Sequence, residues 1–523
     1  MSYPAPSTSS LQSTERTGQG VNHATSGESQ PQRYVLQLCL MVCELTWQMG
    51  NSSRTASIHF LDDDCILHVF YLYRPILLGE DPDDNARFCG GEEWDCGHWW
   101  YKLAHVCRRW RKVILDSASY LELSLVCTYG TPVADMLAHS PPLPLVLDYN
   151  DHEMSVEDEE GIILALGRRD RVRYVRLFIY DPNQNFQKLI AAIDGDYPLL
   201  EYLGVIPVDG NSLAMMLPET LHAPHLRHLT LGGLARPLGS RLITTTVGLV
   251  TLFLVMHPST YFHPDTLVRW LSFMPQLEIL LINHSSSTPN HDIESQLMHI
   301  QIATPVTLPN LQRFVFHGVD TYLEAAVRLI VAPRLGRLEI RFFNQPTGSV
   351  PRLMQFINTT EHLRFDCALF SFSDDAAIAA FCPHEEIRMF AVGIVVNCCH
   401  LDWQVSSVAQ ISISLSQMSS AVEYLILKHE VHSQSSEEHN EVDRIEWRKL
   451  LRSFSNVKKL LVDNGLVEKL SYSLELEDGE LPLELLPELQ ELIYYGSSDT
   501  GDAFTSCIDA RRNAGGAVTL VNL

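Results

Sequence analysis

From about residue 170 onward the apolar positions of this chain keep one rhythm. In YPLLEYLGV (197–205), APHLRHLTL (223–231), MPQLEILLI (274–282), LPNLQRFVF (308–316), APRLGRLEI (332–340) and LPELQELIY (486–494), a proline precedes apolar residues two, five and seven positions later. Leu226, Leu229 and Leu231 follow Pro224 in this way, and Leu335, Leu338 and Ile340 follow Pro333. The same spacing without proline fits Val172/Val175/Leu177, Leu249/Leu252/Leu254, Ile387/Phe390/Val392, Val422/Leu425/Leu427 and Val457/Leu460/Val462. With the proline position set to zero, units start at 170, 198, 224, 247, 275, 309, 333, 385, 420, 455 and 487. The wide gap between 333 and 385 has room for one degenerate unit near HLRFDCALF (362–370).

Positions +5 and +7 point to the same side of an extended chain, so each unit predicts one short strand with an apolar inner face. Between the strands lie runs with helical spacing, such as DTLVRWLSFM (265–274) and EWRKLLRSF (446–454). Strand, helix and strand at this interval predict parallel strands stacked side by side, with proline in the turn that feeds each one. The pattern resembles the leucine-rich repeat, LxxLxL, over roughly 165–500, and the resemblance implies a curved α/β solenoid. Where that family places Asn or Cys three residues after the last leucine, this chain has Tyr180, Leu234, His257, Ser285 and Gly465, so a buried asparagine ladder is largely absent. Positions +4, +6 and +8 face outward. They include Phe253, Leu281, Val315 and Glu339 in successive units, flanked by Arg313, His317, Arg337 and Arg341. The strand face of a solenoid is its usual recognition surface, so these eight are the candidate contacts for a protein substrate.

Ahead of the repeats the pattern is helical and aromatic. ASIHFLDDDCILHVFYLY (56–73) carries Leu61, Cys65, Ile66, Val69 and Phe70 at helical spacing, with Asp62, Asp63 and Asp64 where carboxylates cap a helix start. WWYKLAHVCRRWRKVIL (99–115) projects as one amphipathic helix, with Leu103, Val106/Cys107, Trp110 and Val113/Ile114 on its apolar stripe. Arg108, Arg109, Arg111 and Lys112 mostly fall off that stripe. They read as a solvated helix face, with an acidic partner as the alternative.

The sequence from Leu61 through HVCRRWRKV (105–113) to LVCTYGTPVADMLAHSPPLPLVLDY (125–149) resembles the F-box in the form found in mushroom-type fungi. Asp62 stands where that family usually has proline, and an insert at about 74–98 separates the helices. The resemblance implies binding to Skp1 and, through it, to cullin and a RING protein. The matching positions are Leu61, Ile66, Leu67, Phe70, Val106, Cys107, Trp110 and Val113. The fold class is therefore α/β, a small helical F-box module followed by a leucine-rich-repeat-like solenoid of parallel strands. The expected layout is a disordered tail at 1–32, a helical lead-in at 33–55, the module at 56–125, a connector at 126–165 and the solenoid at 166–523. The expected function is a non-catalytic substrate-recognition subunit of a Skp1–cullin–F-box ubiquitin ligase. The alternative is a repeat scaffold with a vestigial or ligase-independent F-box.

Charge and composition narrow this further. The chain has 523 residues and a net charge of −25, with 38 Lys and Arg against 63 Asp and Glu. A nucleic-acid partner needs a large basic surface, so none is expected. Residues 1–32 are rich in Ser, Thr, Gln and Gly and hold too few large aliphatics to offset the entropy of ordering. The most apolar early stretch, YVLQLCLMVCELTW (34–47), is too short to cross a bilayer, and no secretory signal is visible. Twelve scattered cysteines suit a reduced cytoplasmic or nuclear setting. Cys89, Cys96, His98, His105 and Cys107 lack the tight local pairs that zinc needs, and no nucleophile, phosphate-loop or metalloprotease motif occurs. No cofactor, metal or catalytic group is expected.

Overall fold

A computed structural model describes residues 61–74, 99–180, 184–207, 217–233, 241–256, 263–284, 304–343, 350–363, 365–384, 390–430, 444–476, 481–495 and 503–522. The expected tail, the lead-in and most of the insert lie outside these residues. The chain divides into two compact units, Met1–Leu123 and Ser124–Leu523.

In the first unit, α1 (Asp63–Tyr73) starts on Asp62, whose carboxylate accepts the Cys65 N–H at 2.7 Å. That bond holds the Asp62 carboxyl below its ordinary pKa. The stretch predicted as one helix over 99–115 is instead two, α2 (Trp99–Ala104) and α3 (Arg108–Asp116). The chain breaks at 105–107 because Cys107 is extended and becomes the N-cap of α3, its Sγ accepting the Trp110 N–H at 3.5 Å. Two of the four cations serve this corner. Arg111 Nε donates to the Ala104 carbonyl at the end of α2 (3.0 Å), and Arg109 Nε pairs with Asp63 at 2.8 Å, joining α3 to the start of α1. Arg108 and Lys112 are exposed, as a solvated face requires. The core of the unit is Ile66, Phe70, Trp100, Val113, Ile114 and Leu121, with the Trp110 ring edge-on to Phe70 at 5.0 Å.

The second unit is built from β1 (Leu125–Cys127), β2 (Leu145–Asn150), β3 (Val172–Ile179), β4 (Tyr202–Pro207), β5 (His228–Gly232), β6 (Thr251–Met256), β7 (Ile279–His284), β8 (Val306–Thr307), β9 (Arg313–Gly318), β10 (Ile330–Val331), β11 (Arg337–Phe342), β12 (Cys367–Ser373), β13 (Ala376–Cys382), β14 (Val392–Asn397), β15 (Tyr424–Glu430), β16 (Lys459–Val462), β17 (Glu491–Tyr494) and β18 (Thr519–Asn522). Sixteen of them form one sheet in the order β1-β2-β3-β4-β5-β6-β7-β9-β11-β14-β13-β12-β15-β16-β17-β18, while β8 and β10 pair separately. The sheet is parallel except where β13 runs against β12 and β14. This is the expected α/β solenoid. It begins earlier than expected: the stretch read as a connector at 126–165 carries β2 and most of β1.

Each predicted proline turn is present. The carbonyl before the proline accepts the N–H of the +2 residue: Leu200 from Tyr197 (3.3 Å), Leu226 from Ala223 (3.2 Å), Leu277 from Met274 (3.2 Å), Leu311 from Leu308 (3.3 Å) and Leu335 from Ala332 (3.2 Å). Proline thus occupies the second position of a β-turn, where its fixed φ belongs. One residue past the turn leucine, at +3, a single carbonyl accepts two N–H groups of the next unit. Glu201 accepts Arg227 (2.9 Å) and His228 (3.0 Å), Arg227 accepts Val250 (2.8 Å) and Thr251 (3.0 Å), and Val250 accepts Glu278 (2.8 Å) and Ile279 (3.0 Å). Glu278 and Gln312 continue the series to β11. These contacts fix the register, so that Leu177, Val205, Leu231, Leu254, Ile282, Phe316 and Ile340 form one inward column.

The helices between the strands form the second layer. They are α4 (Val133–His139), α5 (Val156–Leu166), α6 (Gln184–Ala192), α7 (Arg241–Thr245), α8 (Pro264–Leu271), α9 (Asp320–Val327), α10 (Pro351–Thr359), α11 (Leu401–Ser414), α12 (Ser416–Ser419), α13 (Arg444–Arg452), α14 (Val467–Leu474) and α15 (Thr505–Asn513). The acidic stretch at 150–160 is a helix start: Ser155 and Asp158 close a capping box at the head of α5.

The wide gap after 333 holds more than the one degenerate unit expected. The chain passes from β11 to β12, turns back through β13 and returns as β14 beside β11; α11 then leads to β15. Gln404 on α11 fastens this meander, its Nε2 donating to the carbonyls of Ser373 (2.8 Å) and Cys398 (2.6 Å). The repeat template at 385 is displaced by two residues. Val392 aligns with Leu338 and Ile394 with Ile340, where Phe390 and Val392 were expected. Side chains alternate with period two, so a two-residue slip keeps the same face apolar and the pattern alone does not resist it.

His284, at the end of β7, is buried between the rings of Phe316 (5.6 Å) and Tyr322 (5.0 Å). Burial pushes its pKa down to about 4. An unfolded histidine titrates near 6.5, so the folded form binds fewer protons between those values and stability is lost as pH falls through the window. Unfolding measured by urea titration is expected to lose about 3 kcal/mol between pH 7 and pH 4 from this residue, and His284→Phe is expected to flatten that slope. An unchanged slope in the variant would contradict this assignment.

Candidate functional site

Two surfaces hold the residues expected to make contacts. In the first unit Ile66, Phe70 and Val113 are core, 2%, 1% and 7% exposed, so they support a docking surface rather than form one. Leu61, Leu67, Cys107 and Trp110 are half-buried, and Val106 is 59% exposed because it sits in the break between α2 and α3. The outer side of α1 adds apolar residues that are not among the expected Skp1 contacts: Val69, Leu72 and Tyr73, each more than two-fifths exposed. Their i, i+3, i+4 spacing puts them on one helix face. That spacing was readable in the sequence; which apolar face of α1 turns inward was not.

In the second unit the register brings all eight outward candidates together on β6, β7, β9 and β11. Phe253, Leu281, Val315 and Glu339 are consecutive partners in one row. Arg313 lies beside Arg337, and His317 beside Arg341. The apolar members of the row are largely covered, since Leu281 and Val315 are only 7% and 6% exposed. Arg313 reaches past Val315 to Glu339, the register partner of that valine. The Glu339 carboxylate takes Arg313 Nη2 at 2.6 Å and Arg337 Nε at 2.9 Å. The Arg337 guanidinium also lies 5.0 Å over the Phe390 ring. That ring fills the room above Gly393, the register partner of Glu339: a Cβ built there would come within 2.5 Å of Phe390. Burial, with Arg341 adding to it, pushes the His317 pKa down and keeps that ring neutral at pH 7.

A second polar group lies on the same outward face toward β2. Arg176 and Asp148 are consecutive +6 positions and form a two-pronged ion pair, Nε to Oδ1 at 2.6 Å and Nη2 to Oδ2 at 2.9 Å. Both side chains are less than a tenth exposed, and burial pushes the Asp148 carboxyl up while the guanidinium opposes it. Beside them Tyr174 stacks on Tyr202, ring centroids 4.0 Å apart and 8° from parallel. Burial raises both phenols. The ring of Tyr202 folds over Gly204, where a Cβ would sit 2.9 Å from Cε1 and 3.0 Å from the hydroxyl. The group is a rigid polar floor rather than a reactive centre.

Among the described residues no group of three or more His, Cys, Asp or Glu side chains is placed to hold a metal ion, and no helix is long and apolar enough to cross a membrane. Cys89, Cys96 and His98 lie outside those residues. No family model matches the chain, and no curated protein matches it. Among solved structures it is similar to the leucine-rich repeat-containing protein LegL7 from Legionella pneumophila, at 12% identity and a TM-score of 0.26, covering 76% of this chain and 99% of that one. The α/β solenoid assignment rests on the strand order and register described above.

Gly204→Ala is expected to destabilise the fold by about 1–3 kcal/mol by displacing the Tyr202 ring. The double variant Tyr202→Ala/Gly204→Ala is expected to be less destabilised than the sum of the two single changes, measured by urea unfolding. Strict additivity would show that the ring does not occupy the glycine's space.

Proposed function

We propose that the chain is a non-catalytic recognition subunit of a Skp1–cullin–F-box ubiquitin ligase. In this reading the first unit docks on Skp1, which brings in cullin and the RING protein, and the outward strand face of the repeats receives a protein substrate. The observation that carries the reading is the apolar outer row of α1, Val69, Leu72 and Tyr73, together with Val106, in the module whose VCRRWR stretch resembles the F-box. Large apolar side chains left in water on a small helical unit mark a partner surface. Catalysis by proximity fits the rest: a receptor raises the effective concentration of its substrate beside a conjugating enzyme and supplies no chemistry of its own.

The second reading is a repeat scaffold whose F-box-like unit works outside a ligase. It draws on the break at 105–107, which divides the helix matching the family's motif, and on Asp62 at the usual proline position.

Co-expression with Skp1 and pull-down separates these. The full chain is expected to capture Skp1 and, with it, cullin. Val69→Asp with Leu72→Asp is expected to abolish capture without lowering the melting temperature, since neither side chain is core. Failure of the wild type to capture Skp1, or equal capture by the variant, would refute the adaptor role. Capture of Skp1 without cullin would favour the scaffold.

A further inference from the structure

We propose that Cys367 and Cys382 are a redox site: a small-molecule disulfide, oxidised glutathione, converts the pair to an intrachain disulfide that clasps β12 to β13. The two are register partners, the first residue of β12 facing the last residue of β13. Both are free thiols, and among the described residues no other two cysteines face each other across paired strands. Antiparallel partners hold their Cα atoms about 4.5–5.5 Å apart with both side chains on one face, and a disulfide needs about 4.4–6.8 Å, so the backbone is already placed for the bond. The Cys367 thiol donates a hydrogen bond to the Cys382 sulfur, which pulls the Cys382 pKa down; the same bond, with burial, pushes Cys367 up.

That asymmetry sets the order of steps. Cys382 loses its proton, and its thiolate attacks one sulfur of the glutathione disulfide. A mixed disulfide forms, and the glutathione thiolate that leaves takes up the proton. Cys367 then gives up its own proton and attacks the Cys382 sulfur, forming the Cys367–Cys382 bond and releasing the second glutathione as a thiol. Two protein thiols are oxidised, and one small disulfide is reduced to two thiols. Both side chains are buried, so the oxidant reaches them when the rung opens. The rung is the last of the hairpin, where strands open first. His384 latches it. Its N–H donates to Asp366, next to Cys367, at 2.7 Å, and its exposed ring stacks at 3.6 Å on Tyr424, the β15 partner of Cys367. Position gives the bond its effect. In the order β11-β14-β13-β12-β15, the sheet passes from its first parallel block to its second only through the β13–β12 pair. The other end of that hairpin is closed by the Ser373 hydroxyl, which accepts the Ala376 N–H at 3.2 Å. A disulfide closes the open end.

Peptide mapping tests this on the purified full-length chain, incubated folded with oxidised glutathione, quenched in acid, alkylated and cut with trypsin. Both cysteines fall in one tryptic peptide, 365–388. It is expected to escape alkylation and to be two hydrogens lighter than the dithiol form, and dithiothreitol is expected to reverse the change. Cys367→Ser is expected to keep glutathione on Cys382, since no second thiol remains to displace it. His384→Ala is expected to form the disulfide at least about threefold faster. In the oxidised chain the amides of the next rung, Ala368 and Phe381, are expected to exchange at least about tenfold more slowly than in the reduced chain. A peptide that stays doubly alkylated after the exposed Cys65 and Cys399 have taken up glutathione would overturn the site. So would a disulfide that appears only after unfolding in urea. Equal exchange in the two forms would overturn the clasp, and an equal rate in His384→Ala would overturn the latch.

Discussion

One backbone contact, repeated from β4 to β11 and again from β15 to β17, sets the frame: the +3 carbonyl of one repeat accepts two N–H groups from the next. Arg227 and His228 donate to Glu201, Gln312 and Arg313 to Glu278, and Lys458 and Lys459 to Glu423 on the far side of the meander. A parallel pair has no hairpin to set its register, so something at the strand entrance must do so. The turn that opens each of these units, with proline at 198, 224, 275 and 309 and without it at 247, 420 and 455, supplies it by presenting the +3 carbonyl at the same point. Once that point is fixed, every side-chain column follows, with leucines inward at +5 and +7 and the variable residues outward at +4, +6 and +8.

The outward columns are where the molecule becomes individual. Toward β2 they hold a closed polar group, in which Arg176 and Asp148 satisfy one another and Tyr174 and Tyr202 stack. Around β9 and β11 they hold a guanidinium cluster organised by Glu339. The first spends its charges internally and stiffens the sheet. The second gathers two guanidiniums on a single carboxylate oxygen. Aliphatic residues at +6 do little on their own account, since Leu281 and Val315 are covered.

Much of this was legible because leucine periodicity and proline turns are local signals. The units at 198, 224, 247, 275, 309 and 333 all became strands in the expected register. What escaped did so for physical reasons. β2 follows Pro142 as the template requires, but the +2 position is Pro144 instead of an aliphatic residue, and the register shifts between Leu145 and Val146. Had that unit been recognised, Asp148 would have fallen at +6 beside Arg176 and the ion pair could have been foreseen. β13, AAIAAFC, is rich in alanine, a helix former, and becomes a strand because β12 and β14 flank it. The break before α3 rests on Cys107, a poor cap by sequence statistics, and on Arg111 reaching back to Ala104. In the first unit the periodicity showed that α1 has apolar residues nearly all round, and only packing told Ile66 and Phe70 from Val69 and Leu72.

The most direct test of the frame is amide hydrogen exchange at the strand entrances. The N–H groups of Arg227, Val250, Glu278, Gln312 and Gly336, which stand one residue before a strand, are expected to exchange as slowly as those inside β5, β6, β7, β9 and β11, giving one protected band across the sheet. Rapid exchange at these five, with protection confined to the strand interiors, would contradict the claim that the repeated +3 carbonyl holds the units in register.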